Sequence, residues 1–346
     1  MAAGTGRGRR KVGASIEDVA KLAGVSAQTV SRVSTGAEVV RPATRERVLR
    51  AMQELGYTPN RAARALRNGS YGTIGLLANR LGRPGEALTT EAVVRAAAAE
   101  DYSVTLLTVR DPAADTWQAA AHRLPHQAID GLIILWGEGA TPETLTLPRG
   151  MPVAVSDSRF TGHYAGVVAD QVQGTRDAVQ HLVDLGHRTI HHLAGPATSG
   201  AARARAAAWQ RTVDEAGLRP PPLVRGDWTA ASGYAVGREL AGNPSLTAVF
   251  CANDDMAFGL VRALGEAGLR VPQDVSVVGF DGIELSGFSA PPLTTVRQDF
   301  TQIGDELVRL VVGQVRHGAN AVQDRVLVPT ELVVRSSTGP RPVDRD

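Results

Sequence analysis

The chain has 346 residues, enough for two or three domains at about 150 residues each. Its 43% hydrophobic and 21% charged residues are ordinary for a globular protein, and its single cysteine, Cys251, excludes a disulfide framework and any multi-cysteine zinc or iron–sulfur site. The net charge of +2 is unevenly placed: residues 1–68 hold 13 of the 37 basic residues and five acidic ones, a net +8, which leaves −6 on the other 278.

A basic head on an acidic body points to an anionic partner for the head, nucleic acid or an anionic membrane surface. No apolar run approaches the roughly 18 residues of a membrane span. The basic N-terminus has no apolar core of a secretory signal, so a reducing, cytoplasmic location is expected.

Residues 1–14 are rich in Gly and Arg and read as a disordered basic arm. Ser15 with Asp18 three residues later is a capping-box signal. The helix it opens carries Val19, Ala20 and Ala23 on one face and stops at Gly24. Ser26 caps a second helix, AQTVSRVS, with Val30 and Val33 inward. A third starts with Pro42 in its first turn, runs through Val48, Leu49, Met52 and Leu55, and ends at Gly56 with Pro59 beyond. The segment NRAARALRNGS that follows is too short and polar for a helix that is stable alone.

From Thr73 short β-rich runs alternate with helical ones. The order is TIGLL, a helix at 86–100, VTLLT, a helix at 113–127, GLIILW, PVAVS and a helix at 171–185. TIHHL, a helix at 201–217, TAVFC, a helix at 254–267, DVSVVGF and a helix at 300–317 complete it. This is the βαβ pattern of doubly wound parallel sheets, with strands enough for two.

Ile16 to Ser34 therefore reads as a helix-turn-helix whose second helix enters the DNA major groove. Ala27, Gln28, Thr29, Ser31 and Arg32 point outward on it. Gln suits adenine N6/N7 and Arg suits guanine O6/N7, whereas Ser26, Thr29 and Ser31 are short donors for phosphate oxygens.

DVAKLAGVSAQTVSRV, followed by TRERVLRAMQELGYTPNRAARALR, resembles the N-terminus of the lactose/galactose repressor (LacI/GalR) family of bacterial transcription regulators. The resemblance continues through LVDLGHRTIHHLAGP, TAVFCANDDMAFGLVRALGEAGLRVPQDVSVVGFD and PPLTTVRQDF, from Ser15 to about Arg335. It implies that Ala27, Gln28 and Arg32 read bases. It also implies that Asn60, Arg61, Ala63 and Leu66 belong to a hinge helix that docks in the minor groove, with Leu66 wedged into the central base step. Ala27 is smaller than the tyrosine some members carry, so the operator need not match theirs.

Ligands of parallel α/β sheets sit beyond the carboxyl ends of the strands. Polar residues recur there: Asp157 after PVAVS, Arg203 and Arg205 after TIHHLAGP, Asn253 and Asp254 after TAVFCA, and Asp281 after SVVGF. Such donors and acceptors, with Trp228 and Phe300 as aromatic platforms, suit a polyhydroxy ligand. The family resemblance implies a periplasmic-binding-protein-like body and places Asp157, Arg205, Trp228, Asn253, Asp281, Gln298 and Phe300 at sugar-contacting positions. A galactoside-like effector is favoured, although the first loop, ANRLGRPGEALTT, lacks the aromatic-rich segment many members carry.

His187, His191 and His192 have no metal-ligand spacing, and Cys251 reads as a buried free thiol. The tail STGPRPVDRD carries no leucine heptads of a tetramerising coiled coil. A periplasmic solute-binding protein would share the body but would lack the helix-turn-helix. An enzyme would need a nucleophile–base pair or metal set that the strand ends do not offer.

The expected protein is thus α/β, with an all-α helix-turn-helix head and a body of two doubly wound parallel-sheet subdomains. The expected boundaries are an arm at 1–14, a DNA-binding domain at 15–58, a hinge and linker at 59–71, an effector and dimerisation domain at 72–340, and a tail at 341–346. Within the body, one subdomain takes about 72–169 and 299–327, the other about 170–297 and 328–340. It acts as a homodimer on a palindromic double-stranded DNA operator under control of a sugar effector, without cofactor, metal, catalysis or membrane.

Overall fold

The structure is a computed structural model and describes residues 14–34, 39–57, 70–78, 80–107, 128–135, 145, 147–156, 160, 162–320 and 324–342. Two compact units divide the chain, Met1–Tyr71 and Gly72–Asp346.

In the first unit, α1 (Ile16–Ala23), α2 (Ala27–Ser34) and α3 (Pro42–Glu54) form the three expected helices. The Ser15 hydroxyl accepts from the Asp18 amide at 3.2 Å, and the Asp18 carboxylate accepts from the Ser15 amide at 2.8 Å. This reciprocal box satisfies backbone donors that a helix start leaves unpaired. Gly24, at φ 63°, turns the chain in the left-handed region, and Pro42 occupies the first turn of α3. Val19, Ala20, Val30, Val33, Val48 and Met52 close a small common core.

The second unit contains, in chain order, β1 (Thr73–Leu77), α4 (Pro84–Ala99), β2 (Ser103–Leu107), β3 (Gly131–Leu135), β4 (Val153–Ser156) and β5 (Ala165–Ala169). Next come α5 (Gln171–Asp184), β6 (Ile190–Ala194), α6 (Gly200–Glu215), β7 (Val224–Arg225) and α7 (Ala230–Leu240). They are followed by β8 (Ala248–Cys251), α8 (Asp254–Glu266), β9 (Ser276–Asp281), a 3-10 turn at Glu284–Gly287 and β10 (Thr294–Gln298). The last are α9 (Phe300–His317), β11 (Arg325–Val328) and β12 (Thr330–Val333).

One sheet has the order β11-β5-β4-β3-β1-β2 and is parallel. The other has the order β12-β10-β9-β8-β6-β7, parallel except for β12. The chain passes between them at 169–171, 298–300 and 328–330. Strands such as GLIIL and AVFC are wholly buried because both sheet faces are covered, which is why they read as unbroken apolar runs. Helices α4 and α9 pack over Ile74, Leu76 and Ile133 of the first sheet, with Leu307 and Val311 of α9 in the shared core. Helices α5 and α6 pack over the second sheet around Trp209, Phe250 and Phe280, with α7 and α8 on its other face.

Strands β5, β7, β10, β11 and β12 and helix α7 are not among the elements expected from the sequence. Four of these strands have four or five residues and one has two, and TTVRQ and TELV mix polar with apolar positions. Helix α7 was hidden by Gly233 and Gly237, poor helix formers. A Cβ at Gly233 would lie 2.1 Å from the Met256 carbonyl oxygen, so the glycine is there to let α7 lie directly on α8. The helix expected at 113–127 lies outside the described residues. No helix among the described residues is long and apolar enough to cross a membrane.

The three histidines are interior. His187 contacts the Thr247 hydroxyl at 3.1 Å, the Ser276 hydroxyl at 3.0 Å and the Gly339 carbonyl at 3.1 Å. His192 is stacked on Phe250 with ring centroids 4.8 Å apart, and its Nδ1 lies 2.9 Å from the Phe250 carbonyl oxygen. Nδ1 must therefore carry the proton, which leaves Nε2 as a buried acceptor with no partner among the described residues. Burial pushes the His192 imidazole down to about 3, and lowers His187 and His191 as well. Between about 3 and 6.5 the unfolded chain binds a proton at His192 that the folded chain does not, so this contribution to stability is lost as pH falls below 6.5. Going from pH 7.5 to 5, the protein should lose about 2 kcal/mol more than a His192→Gln variant in paired urea titrations. Parallel losses in the two proteins would contradict the neutral, buried imidazole.

Candidate functional site

The first surface is α2. The Ser26 hydroxyl accepts from the Thr29 amide at 3.1 Å and lies 3.0 Å from the Thr29 hydroxyl, so these two residues close the first turn. Gln28 and Arg32 are exposed and one turn apart, whereas Val30 and Val33 are buried against α1 and α3. Ala27, Thr29 and Ser31 are half-buried beside them. The helix thus presents an amide and a guanidinium outward on a backing of small aliphatic side chains. Asn60, Arg61, Ala63 and Leu66 lie outside the described residues, as does Asp157.

The second site lies between the two sheets, beyond the carboxyl ends of β4, β5 and β10. A cavity of about 440 Å³ opens there, within the range of small-molecule sites. Ser156 and Ala169 line one side, Ala201 and Ala204 of α6 the other, and Gln171, Gln298 and Phe300 of the crossovers join them. Phe300 is mostly buried in the core of the first sheet, so it is as much a packing residue as a platform.

Arg205, one turn beyond Ala201, is 4% exposed. Its Nε donates to Gln171 Oε1 at 2.7 Å, and one terminal nitrogen donates to the Ala252 carbonyl. The other stands 3.6 Å from the Asp281 carboxylate. The guanidinium carbon sits 3.6 Å above the Phe280 ring and 5.7 Å from the Trp228 ring. Asp281 accepts from Gln298 Nε2 at 2.7 Å, and Gln298 Oε1 accepts from Gln171 Nε2 at 3.1 Å. Arg205, Gln171, Gln298 and Asp281 therefore form a closed ring of side chains, with Gln171 and Gln298 facing the cavity. Burial lifts the Asp281 carboxyl to about 7 despite the pull of Arg205.

Asn253 caps α8, accepting from the Met256 amide at 3.1 Å, and donates to the Trp228 carbonyl at 3.0 Å. Its amide thereby ties Trp228 to the start of α8. Trp228 and Asp281 have φ of 78° and 111°, backbone strain that non-glycine residues keep where the surroundings enforce it, often at ligand sites. A Cβ at Gly195 would lie 2.4 Å from the Trp228 ring, so this turn is open to let the indole approach. Beneath, buried Asp254 accepts from the Ser286 hydroxyl at 2.6 Å, the Thr295 hydroxyl at 2.5 Å and the Ile283 amide at 3.0 Å. Burial raises its carboxyl to about 6.

The structure joins Arg205, Trp228, Asn253, Asp281 and Gln298 through direct contacts, and Gln298 and Phe300 line the cavity. Arg203 instead faces outward and bonds the Ala197 carbonyl at 2.9 Å. Gln171 and Phe280 are not among the site residues expected from the sequence. The helix expected at 171–185 does begin at Gln171, but without β5 nothing in the sequence places that residue at a strand end.

A helix-turn-helix unit and a two-sheet body with a polar cleft at its strand ends define a ligand-responsive, DNA-binding regulator. The model for bacterial regulatory proteins of the lacI family matches residues 15–60, and that for a periplasmic binding protein-like domain matches residues 179–338. The chain is 38% identical to the lactose operon repressor of Escherichia coli (strain K12), over 93% of this chain and 89% of that protein. It is 32% identical to the HTH-type transcriptional repressor PurR of Pasteurella multocida, over 95% of this chain and 99% of that one. Among solved structures it matches the lac repressor dimer bound to operator and the anti-inducer ONPF, with a TM-score of 0.84 and 36% identity over 94% of this chain and 99% of that one. It matches the complex of the transcriptional regulator CelR with cellobiose at a TM-score of 0.70 and 32% identity, with the same coverage. The chain belongs to the lacI family of bacterial regulatory proteins: it is a DNA-binding transcriptional regulator and not an enzyme.

Proposed function

We propose that the protein is a repressor that binds a palindromic operator as a homodimer and is controlled by a sugar, with a galactoside first among candidates. The observation that carries the effector reading is the Arg205–Asp281 pair, joined through Gln171 and Gln298 to a cavity between the two sheets, a set of donors and acceptors suited to paired hydroxyls. The 38% identity to a lactose operon repressor supports the choice of galactoside. Gln28 and Arg32, with Ala27, would read bases, and Ser26, Thr29 and Ser31 would hold phosphates. Asn60, Arg61, Ala63 and Leu66 would form the hinge element, and Asp157 would complete the sugar site. The boundaries given from the sequence, a head at 15–58, a hinge at 59–71 and a body at 72–340, go with this reading. The protein would act in the cytoplasm on the nucleoid.

Two heads of a dimer would reach half-sites about one helical turn apart, roughly 34 Å. Leu66→Ala should weaken operator binding roughly tenfold or more, since the wedge that opens the central base step is gone, and should leave sugar affinity as it was. Equal operator affinity of the two proteins in a fluorescence anisotropy titration would refute the wedge. The effector itself can be found by a thermal-shift screen of sugars, because a ligand of the folded state raises its apparent stability.

A further inference from the structure

The effector cleft contains its own competitor. Hydrogen-bond direction around the side-chain ring is fixed by chemistry. Asp281 can only accept while ionised, so Gln298 turns its amide nitrogen to it, 2.7 Å away. Gln298 Oε1 is then left to face Gln171 Nε2 at 3.1 Å, and Gln171 Oε1 in turn faces Arg205 Nε at 2.7 Å. Donors thus run one way from the guanidinium to the carboxylate through two amides, and each bond polarises the next.

The same two glutamines begin and end crossings between the sheets. Gln171 follows β5 at the first crossing, and Gln298 closes β10 at the second. Backbone bonds tie these crossings to the third: the Asp170 amide donates to the Val328 carbonyl at 2.8 Å, and Gln298 pairs with Thr330 across β10 and β12. Both glutamine side chains line the cavity, so the Gln171–Gln298 bond is a link between crossings that a ligand can reach.

We infer that Gln171 is the positioning residue that couples the effector to subdomain geometry: it occupies Arg205 in the ligand-free state, and an effector hydroxyl displaces it, breaking its link to Gln298. This rests on the effector reading of the cleft. A ligand shifts a conformational equilibrium only through contacts that differ between the two states, and the bond surrendered by Gln171 is such a difference.

The test compares wild type, Gln171→Ala, Gln171→Glu and the surface control Gln180→Ala, all as full-length protein. Lactose and cellobiose are the probes. Without its competitor, the Ala variant should bind the active sugar several-fold more tightly. The Glu variant holds Arg205 harder and should bind it several-fold more weakly. Glu also cannot donate to Gln298, so both variants should lose most of the sugar-induced change in operator affinity, about tenfold where wild type shows a hundredfold. A residue needed only for packing would tolerate the isosteric Glu and would lower affinity when cut to Ala. Amide hydrogen exchange of the sugar-free proteins at 169–171 and 298–301 should rise in both Gln171 variants and not in Gln180→Ala. Unchanged exchange, or an Ala variant with weakened sugar binding and intact coupling, overturns the inference. If neither sugar acts on wild type, the choice of sugars fails and the exchange comparison alone decides the role of Gln171.

Discussion

Arg205→Ala is expected to abolish the response to effector over at least a hundredfold range of sugar concentration. The guanidinium is 4% exposed and serves Gln171, the Ala252 carbonyl and Asp281 together, while stacking on Phe280. Its removal leaves a buried carboxylate and two acceptors without their donor. Breaking one side of a buried pair costs about 3–5 kcal/mol. Here the lower end applies, because Asp281 is already lifted to about 7 by burial and can take up a proton when its partner goes. In the unfolded chain the carboxyl ionises near its ordinary 3.8, so a raised folded-state value costs stability as pH rises, and the deficit of the variant should be smaller at pH 6 than at pH 8. Arg205→Lys keeps the charge but not the fork that reaches three partners, and should recover stability better than sugar binding. Urea titrations at the two pH values, with sugar binding by calorimetry, check both halves. A fully responsive Ala variant would remove Arg205 from the effector site.

The second large effect is ionic. With +8 on residues 1–68 and −6 on the rest, operator binding should be dominated by phosphate neutralisation by the head. If a dimer makes about eight phosphate contacts, affinity should fall about a thousandfold or more between 50 and 200 mM salt. Sugar binding, built on a buried ion pair and neutral amides, should change little over the same range. Anisotropy titrations at four salt concentrations give the slope. A flat operator isotherm, or a sugar affinity that tracks it, would show that charge is not divided between the two tasks. Arg32→Ala should weaken operator binding by about 1–3 kcal/mol and relax base preference at a single position.

The first unit was almost wholly readable in the sequence because its signals are local. The Ser15–Asp18 box, Gly24 and Pro42 each mark a helix end through their own backbone chemistry. The buried strands were readable as apolar runs. What stayed hidden depends on distant chain: β11 and β12 are edge strands whose partners, β5 and β10, lie far away in sequence. Helix α7 carries glycines that disfavour a helix locally and pack against α8 in the fold. The site shows the same division. Arg205 and Asp281 could be picked at a helix start and a strand end, and Gln298 through the family resemblance alone, but the bond that joins them runs through Gln171, which only the crossing of β5 into α5 brings within reach. Asn253 was read as a ligand contact, and the structure adds a second task for it, capping α8 and holding Trp228.

Linkage of operator and sugar binding through one chain is what this fold predicts. Its most direct test is the operator dissociation constant at fixed salt, measured without sugar and with a saturating sugar whose binding has been established by thermal shift. A change of about 5- to 150-fold, matched by an equal change in sugar affinity when operator is bound, is the expected result. An operator affinity that is the same with and without a demonstrably bound sugar would contradict it.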